Sequence, residues 1–241
     1  MTQVAQLLLA ALVAGLAAVE RKGLLQAQLS RPIVVAPLVG WALGDPLAGL
    51  YVGAPLELIW IGAANLGAAL PPHETAATAA ITAAAVAAGG WLTDFPGATA
   101  AMAFVVFGPV AVIGRRLEGV GERANENLVA HAAVALGESL PRRAFRLHLL
   151  GLWRPFVTSF ALVLVAGGVV GPLLRLAQNR LPDWSLAGFE IGWMLLWAVG
   201  GAAAVRAARL PRGLGLAAAG AAGAIALWAA ASWFGWVGVI G

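Results

Sequence analysis

The sequence predicts an all-α fold: a polytopic integral membrane protein with broken or re-entrant helical segments. Three observations predict it. Of the 241 residues, 61% are hydrophobic and only 11% are charged, against about 25% charged in a soluble domain. Mean hydropathy is +0.87, so the excess apolar surface has to face lipid. The apolar residues also fall into runs, several near the ~20 residues that a transmembrane helix needs. Gly (31 residues) is abundant, as expected where helices pack closely in a bilayer.

The runs can be taken in order. The first covers residues 4–19 and ends at Glu20-Arg21-Lys22. No basic region precedes it, so it reads as a retained helix rather than a signal peptide. Residues 32–44 end at Gly44-Asp45-Pro46 and are short for a span, which suggests a re-entrant or broken segment. The run 47–70 is interrupted by Pro55 and Glu57, and 75–92 is rich in Ala and Thr. After 97–114 comes a polar stretch, 115–147, with six arginines (115, 116, 123, 142, 143 and 146). Apolar runs return at 148–174, 186–205 and 213–240. The division is therefore an N-terminal membrane region 1–114, a cytoplasmic loop 115–147 and C-terminal membrane helices 148–241.

Charge sets the expected topology. The net charge is +4, and the basic residues lie between apolar runs, where they act as topology signals rather than as a nucleic-acid surface. The positive-inside rule places 115–147 in the cytoplasm, with Glu122 to Leu140 as an amphipathic helix on the membrane surface. The loop with Arg206, Arg209 and Arg212 falls on the same side, two spans later. Residues 93–96 then lie outside, as do Arg175 and Arg180, a mild exception to the rule. The 10 tryptophans read mainly as interfacial anchors.

Polar residues inside apolar runs are costly and point to function. Glu57 stands two residues after Pro55, where a proline removes a backbone donor and frees a carbonyl of the preceding turn. Its carboxylate suits sugar hydroxyls or a proton; the plainer role is pairing with an Arg or capping a helix. Asn65 lies about 80° around a helix from Glu57 and offers both donor and acceptor, or else holds two helices together. His73 and Glu74 follow Pro71-Pro72, as a turn and helix cap or as ligand contacts. Asp45 reads as a helix cap, and Gln28 and Arg31 as a cavity mouth or an interface. Arg154 lies within a later run, as a counter-ion for Glu57 or as a snorkelling residue. There is no P-loop, GxSxG or paired-His signature and no cysteine, so no catalytic residue, metal or cofactor is expected.

One stretch carries a resemblance. Gln28, Arg31-Pro32, Leu43-Gly44-Asp45, Gly53, Leu56-Glu57, Gly62, Asn65, Gly67-Ala68-Ala69 and Pro71-Pro72 follow one another in an order that resembles the mannose/sorbose class of phosphotransferase-system IIC subunits. The resemblance implies a sugar-translocating membrane subunit of a bacterial phosphoenolpyruvate-dependent system, in the cytoplasmic (inner) membrane. It implies a IID membrane partner, a IIB (IIAB) subunit that phosphorylates a hexose-type sugar, and an oligomeric assembly. The chain itself would position the sugar without carrying the phosphoryl group. Gln28, Glu57, Asn65 and position 73 fall at motif positions near the implied sugar site. Where the pattern has Asp after Pro-Pro, this chain has His73 and then Glu74. The competing readings are a secondary transporter with Glu57 as coupling acid, and a membrane assembly subunit without transport.

Overall fold

The computed structural model describes residues 2–23, 27–61, 73–90, 95–134, 140–208 and 215, with only the backbone course given for most of 117–150. The described residues form eight α-helices and no strand: α1 (Gln3–Gly23), α2 (Pro32–Leu43), α3 (Pro46–Trp60), α4 (Glu74–Ala87), α5 (Pro96–Val134), α6 (Leu140–Val165), α7 (Gly171–Gln178) and α8 (Asp183–Ala208). A π-helical segment, Ala166–Val170, joins α6 to α7 without a break. Pro172, in the first turn of α7, has no N–H to give, which accounts for the altered hydrogen-bond spacing just before it. Among the described residues, four stretches are long and apolar enough to cross a bilayer: Gln3–Arg21, Pro96–Arg116, Gly151–Gln178 and Asp183–Ala207.

The short helices α2 and α3 form a hairpin. Pro32 opens α2 at its first position and Gly44 closes it with φ 97°, a left-handed conformation that suits glycine. The Asp45 carboxylate then accepts the Ala48 N–H at 2.9 Å and starts α3, with Pro46 next. The arms touch backbone to backbone. A Cβ on Gly49 would strike the Ala36 carbonyl, and one on Gly53 would lie 2.6 Å from the Pro32 carbonyl oxygen. Gly49 and Gly53 thus make a GxxxG contact of the kind that brings membrane helices close. Twelve residues of α2 rise only about 18 Å, less than the ~30 Å hydrocarbon core. The hairpin enters beside Glu20 of α1, through Ser30, and turns back near Gln6, as the short 32–44 run suggested.

Helix α4 lies at the centre. Residues 74–85 are all buried, and α4 packs against α1, α2, α3, α5, α6, the π segment and α7. Its Ala and Thr side chains are small enough to admit that many neighbours. The periphery is apolar: Leu8, Leu12 and Leu16 form one exposed stripe on α1, and Ile191, Met194, Leu195 and Val199 another on α8. At i, i+4 spacing such residues share a face, here one that the other described residues leave uncovered. Trp41, Trp153 and Trp184 are exposed, but Trp193 is fully buried against Tyr51 and Phe104. It is a core residue and not an anchor.

Two ends of the bundle can be told apart. At the tip end lie the start of α1, Gly44-Asp45, Gly90 and the start of α8. At the other end lie Arg21, Arg31, Arg115, Arg116 and Arg206, hereafter the basic end. Helix α5 differs from expectation. It continues to Val134, 39 residues or about 58 Å. The expected surface helix therefore begins as an extension of a span: no proline interrupts the chain between Arg115 and Val134, and the helix runs through Gly119 and Gly121. Apart from residue 215, the last apolar run, 213–240, lies outside the described residues.

Candidate functional site

The N-terminal ends of α2 and α4 meet the C-terminal half of α3 at the basic end. Arg31 is the N-cap of α2 and Glu57 lies on the last turn of α3. The Arg31 Nε donates to Glu57 Oε1 at 2.9 Å, and Nη2 reaches the same oxygen. Glu57 Oε2 accepts the Ile33 N–H at 3.3 Å. One carboxylate thus neutralises the guanidinium and takes up an orphan donor at the start of α2. Arg31 Nη1 also lies 3.8 Å from Oε1 of Glu74, the first residue of α4. The Glu74 side chain is only 8% exposed, and those of Arg31 and Glu57 are 19% and 16% exposed.

Further bonds hold this cluster rigid. The Ser30 N–H donates to Glu20 Oε2 of α1 at 3.0 Å, and Glu20 is buried. The Thr75 hydroxyl of α4 donates to the Ser30 carbonyl at 2.9 Å. His73 caps α4 by accepting the Ala76 N–H on Nδ1 at 3.4 Å. The His73 N–H donates to the Ala111 carbonyl of α5 at 2.8 Å. Gly114 abuts its side chain, a Cβ there falling 2.7 Å from that of His73. Gln28 is exposed with φ 64° in the turn that presents Arg31, and its carbonyl accepts the Arg31 N–H at 3.2 Å.

The expected site residues therefore divide. Glu57, Glu74 and His73 converge, and Gln28 sits in the adjoining turn. Asp45 does not join them: it caps α3 at the tip end, a helix length from Arg31. Arg154 is exposed on α6, and the cation beside Glu57 is Arg31 instead. Arg31 wins because it precedes α2 directly, and α2 packs tightly on α3. Asn65 lies outside the described residues.

Two acids went unnoticed in the sequence. Glu20 looked like the polar end of a run, yet it is buried and anchors the 28–31 turn. Glu190 sits two turns into α8, where its Oε2 accepts the Ala98 N–H at 2.8 Å at the start of α5. The signal for Glu190 was present: it is an acid inside the apolar run 186–205.

A helical bundle with four apolar spans and a charged cluster at the mouth of a short hairpin defines a polytopic membrane protein. The comparisons with known proteins make this specific. The family model described as "PTS system sorbose-specific iic component" matches residues 4–212. No curated protein matches the sequence. A solved chain described only as "Structure of membrane protein" is 24% identical with a TM-score of 0.68, covering 97% of this chain and 96% of that one. The mannose transporter ManYZ, solved by cryo-EM in complex with microcin E492 (MceA), is 24% identical over the same shares with a TM-score of 0.58. The chain belongs to the family of sorbose-specific IIC components, and is a multi-pass IIC membrane component for sugar transport in a phosphotransferase system.

Proposed function

We propose that this IIC component binds a hexose-type sugar at the basic end of the hairpin and hands it to a separate IIB (IIAB) subunit for phosphorylation. It does so with a IID membrane subunit, in the bacterial cytoplasmic (inner) membrane and within an oligomeric assembly. The observation that carries this reading is the bridge of Arg31 between Glu57 and Glu74, a charged cluster embedded in a largely apolar bundle. Such groups are costly in a membrane and tend to line substrate pathways. A carboxylate offers about four lone-pair positions, and three donors occupy those of Glu57, which leaves room for a sugar hydroxyl. The guanidinium has five N–H donors and keeps some for a sugar oxygen. Exposed Arg115, Arg116 and Arg123 give the same end a positive face, suited to a phosphoryl-carrying partner and to the cytoplasm.

A partner helix has a place to pack. Gly188 and Gly192 on α8 form a second GxxxG, and a Cβ at either would meet open space among the described residues. This supports a IID-like partner against α8. The secondary-transporter reading, with Glu57 as coupling acid, has less support because the matching family model is that of a phosphotransferase-system IIC component. Uptake of a labelled hexose panel into vesicles decides between them. Accumulation of sugar phosphate that requires phosphoenolpyruvate and the phosphoryl-carrier subunits is the expected result. Accumulation of free sugar driven by a proton gradient alone would contradict it.

A further inference from the structure

A cavity of about 1050 Å³ opens at the tip end, between the start of α1, the hairpin tip, the end of α4 and the π segment with α7. It lies about 18 Å, the rise of α2, from the Arg31 cluster. Its volume is at the top of the ~300–1,000 Å³ range of ligand pockets. Its polar lining is dominated by amides: Gln3 and Gln6 from α1, and Gln178 and Asn179 from the end of α7. The Gln178 amide also donates to the Thr99 hydroxyl of α5, which fixes its position.

The charges of the lining are Asp45, Asp183 and Arg175, a net negative set. Helix dipoles do not reverse this. The last turns of α2, α4 and α7 face the cavity with their carbonyl ends. Asp45 and Asp183 offset the positive ends of α3 and α8, and the three carbonyl ends outnumber the starts of α1 and α5, which bring positive ends with no acid in the first turn. An amide-rich, weakly negative lining of this size offers hydrogen bonds to hydroxyls and disfavours an added phosphate. The basic end has the opposite electrostatic character.

We propose that this cavity is a loading site for a neutral, hydroxyl-rich solute of hexose size, and that it rejects the phosphorylated form of the same solute. The proposal rests on the sugar-transport reading above and adds a second site to it. The pathway then becomes directional: neutral sugar is admitted at one end and its phosphate cannot return through that end.

The absence of native cysteine allows a direct test. In the full chain, Gln6→Cys places one thiol in the cavity wall, and Asn179→Cys, on an exposed turn, serves if the first variant folds poorly. The readout is the rate of modification by a membrane-impermeant thiol reagent, with and without a neutral hexose or its 6-phosphate. The expected result is that the hexose slows labelling roughly tenfold at about ten times its Kd, while the phosphate leaves the rate unchanged. Protection should persist when Glu57→Gln is added, since the two sites are separate. Three results would overturn the proposal: no protection while Glu57-dependent hexose binding is intact, equal protection by the phosphate, or protection that vanishes with Glu57→Gln. A chain that binds no hexose anywhere would overturn the transport reading along with it.

Discussion

The Arg31 guanidinium bridges two acids of different helices, with Nε 2.9 Å from Glu57 Oε1 and Nη1 3.8 Å from Glu74 Oε1. The hydrogen bond joins the hairpin's entrance to its second arm, and the longer ion pair joins it to the central helix. Removing the cation leaves two partly buried carboxylates without their bridge. A hydrogen bond to a charged group contributes about 1.5–3 kcal/mol. Arg31→Gln is therefore expected to destabilise the protein by on the order of 2 kcal/mol. Arg31→Lys should recover only part of this, since an ammonium cannot reproduce the fork. Unfolding in detergent, followed by near-UV circular dichroism, measures it; wild-type stability in Arg31→Gln would show that the bridge is incidental.

At the head of α4, His73 occupies the position where the related pattern has Asp. Its imidazole caps the helix through Nδ1. His73→Ala should cost about 0.5–2 kcal/mol as a lost cap. His73→Asp keeps an N-cap acceptor and adds a negative charge favoured at a helix start, so stability should be retained while relative affinities across a hexose panel change. Unchanged affinities in a stable His73→Asp variant would remove position 73 from the site.

Gly53 faces the Pro32 carbonyl oxygen, with only 2.6 Å for a Cβ. Gly53→Val should force the hairpin arms apart, with an overpacking cost of about 1–3 kcal/mol. Because Glu57 lies one turn further along α3, the same variant should weaken sugar binding without touching a polar group. Normal stability of Gly53→Val would refute the close contact.

The open GxxxG on α8 gives a prediction about assembly. A Cβ at Gly188 or Gly192 has no atom of the described residues within 4 Å, so a leucine there should leave the fold of the described bundle unaffected. If a IID-like helix packs there, Gly188→Leu should abolish its co-purification. Retention of the partner at wild-type yield would place the interface elsewhere.

Much of the architecture was legible because it follows from composition and local signals. A chain so poor in charge has to lie in lipid, and Gly44-Asp45-Pro46 carries a helix stop, a cap and a helix start in three residues. Glu57 stood out as an acid inside an apolar run. Its partner did not, since Arg31 is 26 residues away and becomes its neighbour only because Gly49 and Gly53 let the arms close. Glu190 is similar: its role depends on the start of α5 arriving beside α8. Arg154 was a reasonable counter-ion by type, but α6 presents it outward. The continuous course of α5 past Arg116 could not be seen, because helix propensity does not say whether an amphipathic segment bends away from a span.

The most direct test of the central claim is hexose affinity in Glu57→Gln, measured per folded molecule. The amide keeps the shape, loses the charge and puts an N–H₂ beside Arg31 or the Ile33 N–H, so some loss of abundance is expected and must be normalised. Charge-assisted bonds are about twice as strong as neutral ones, and losing about 1.5–3 kcal/mol corresponds to roughly a tenfold or greater fall in affinity. The account predicts that fall in the surviving folded protein. Wild-type affinity in folded Glu57→Gln, with only its abundance reduced, would contradict it and leave Glu57 as a helix cap and ion-pair partner alone.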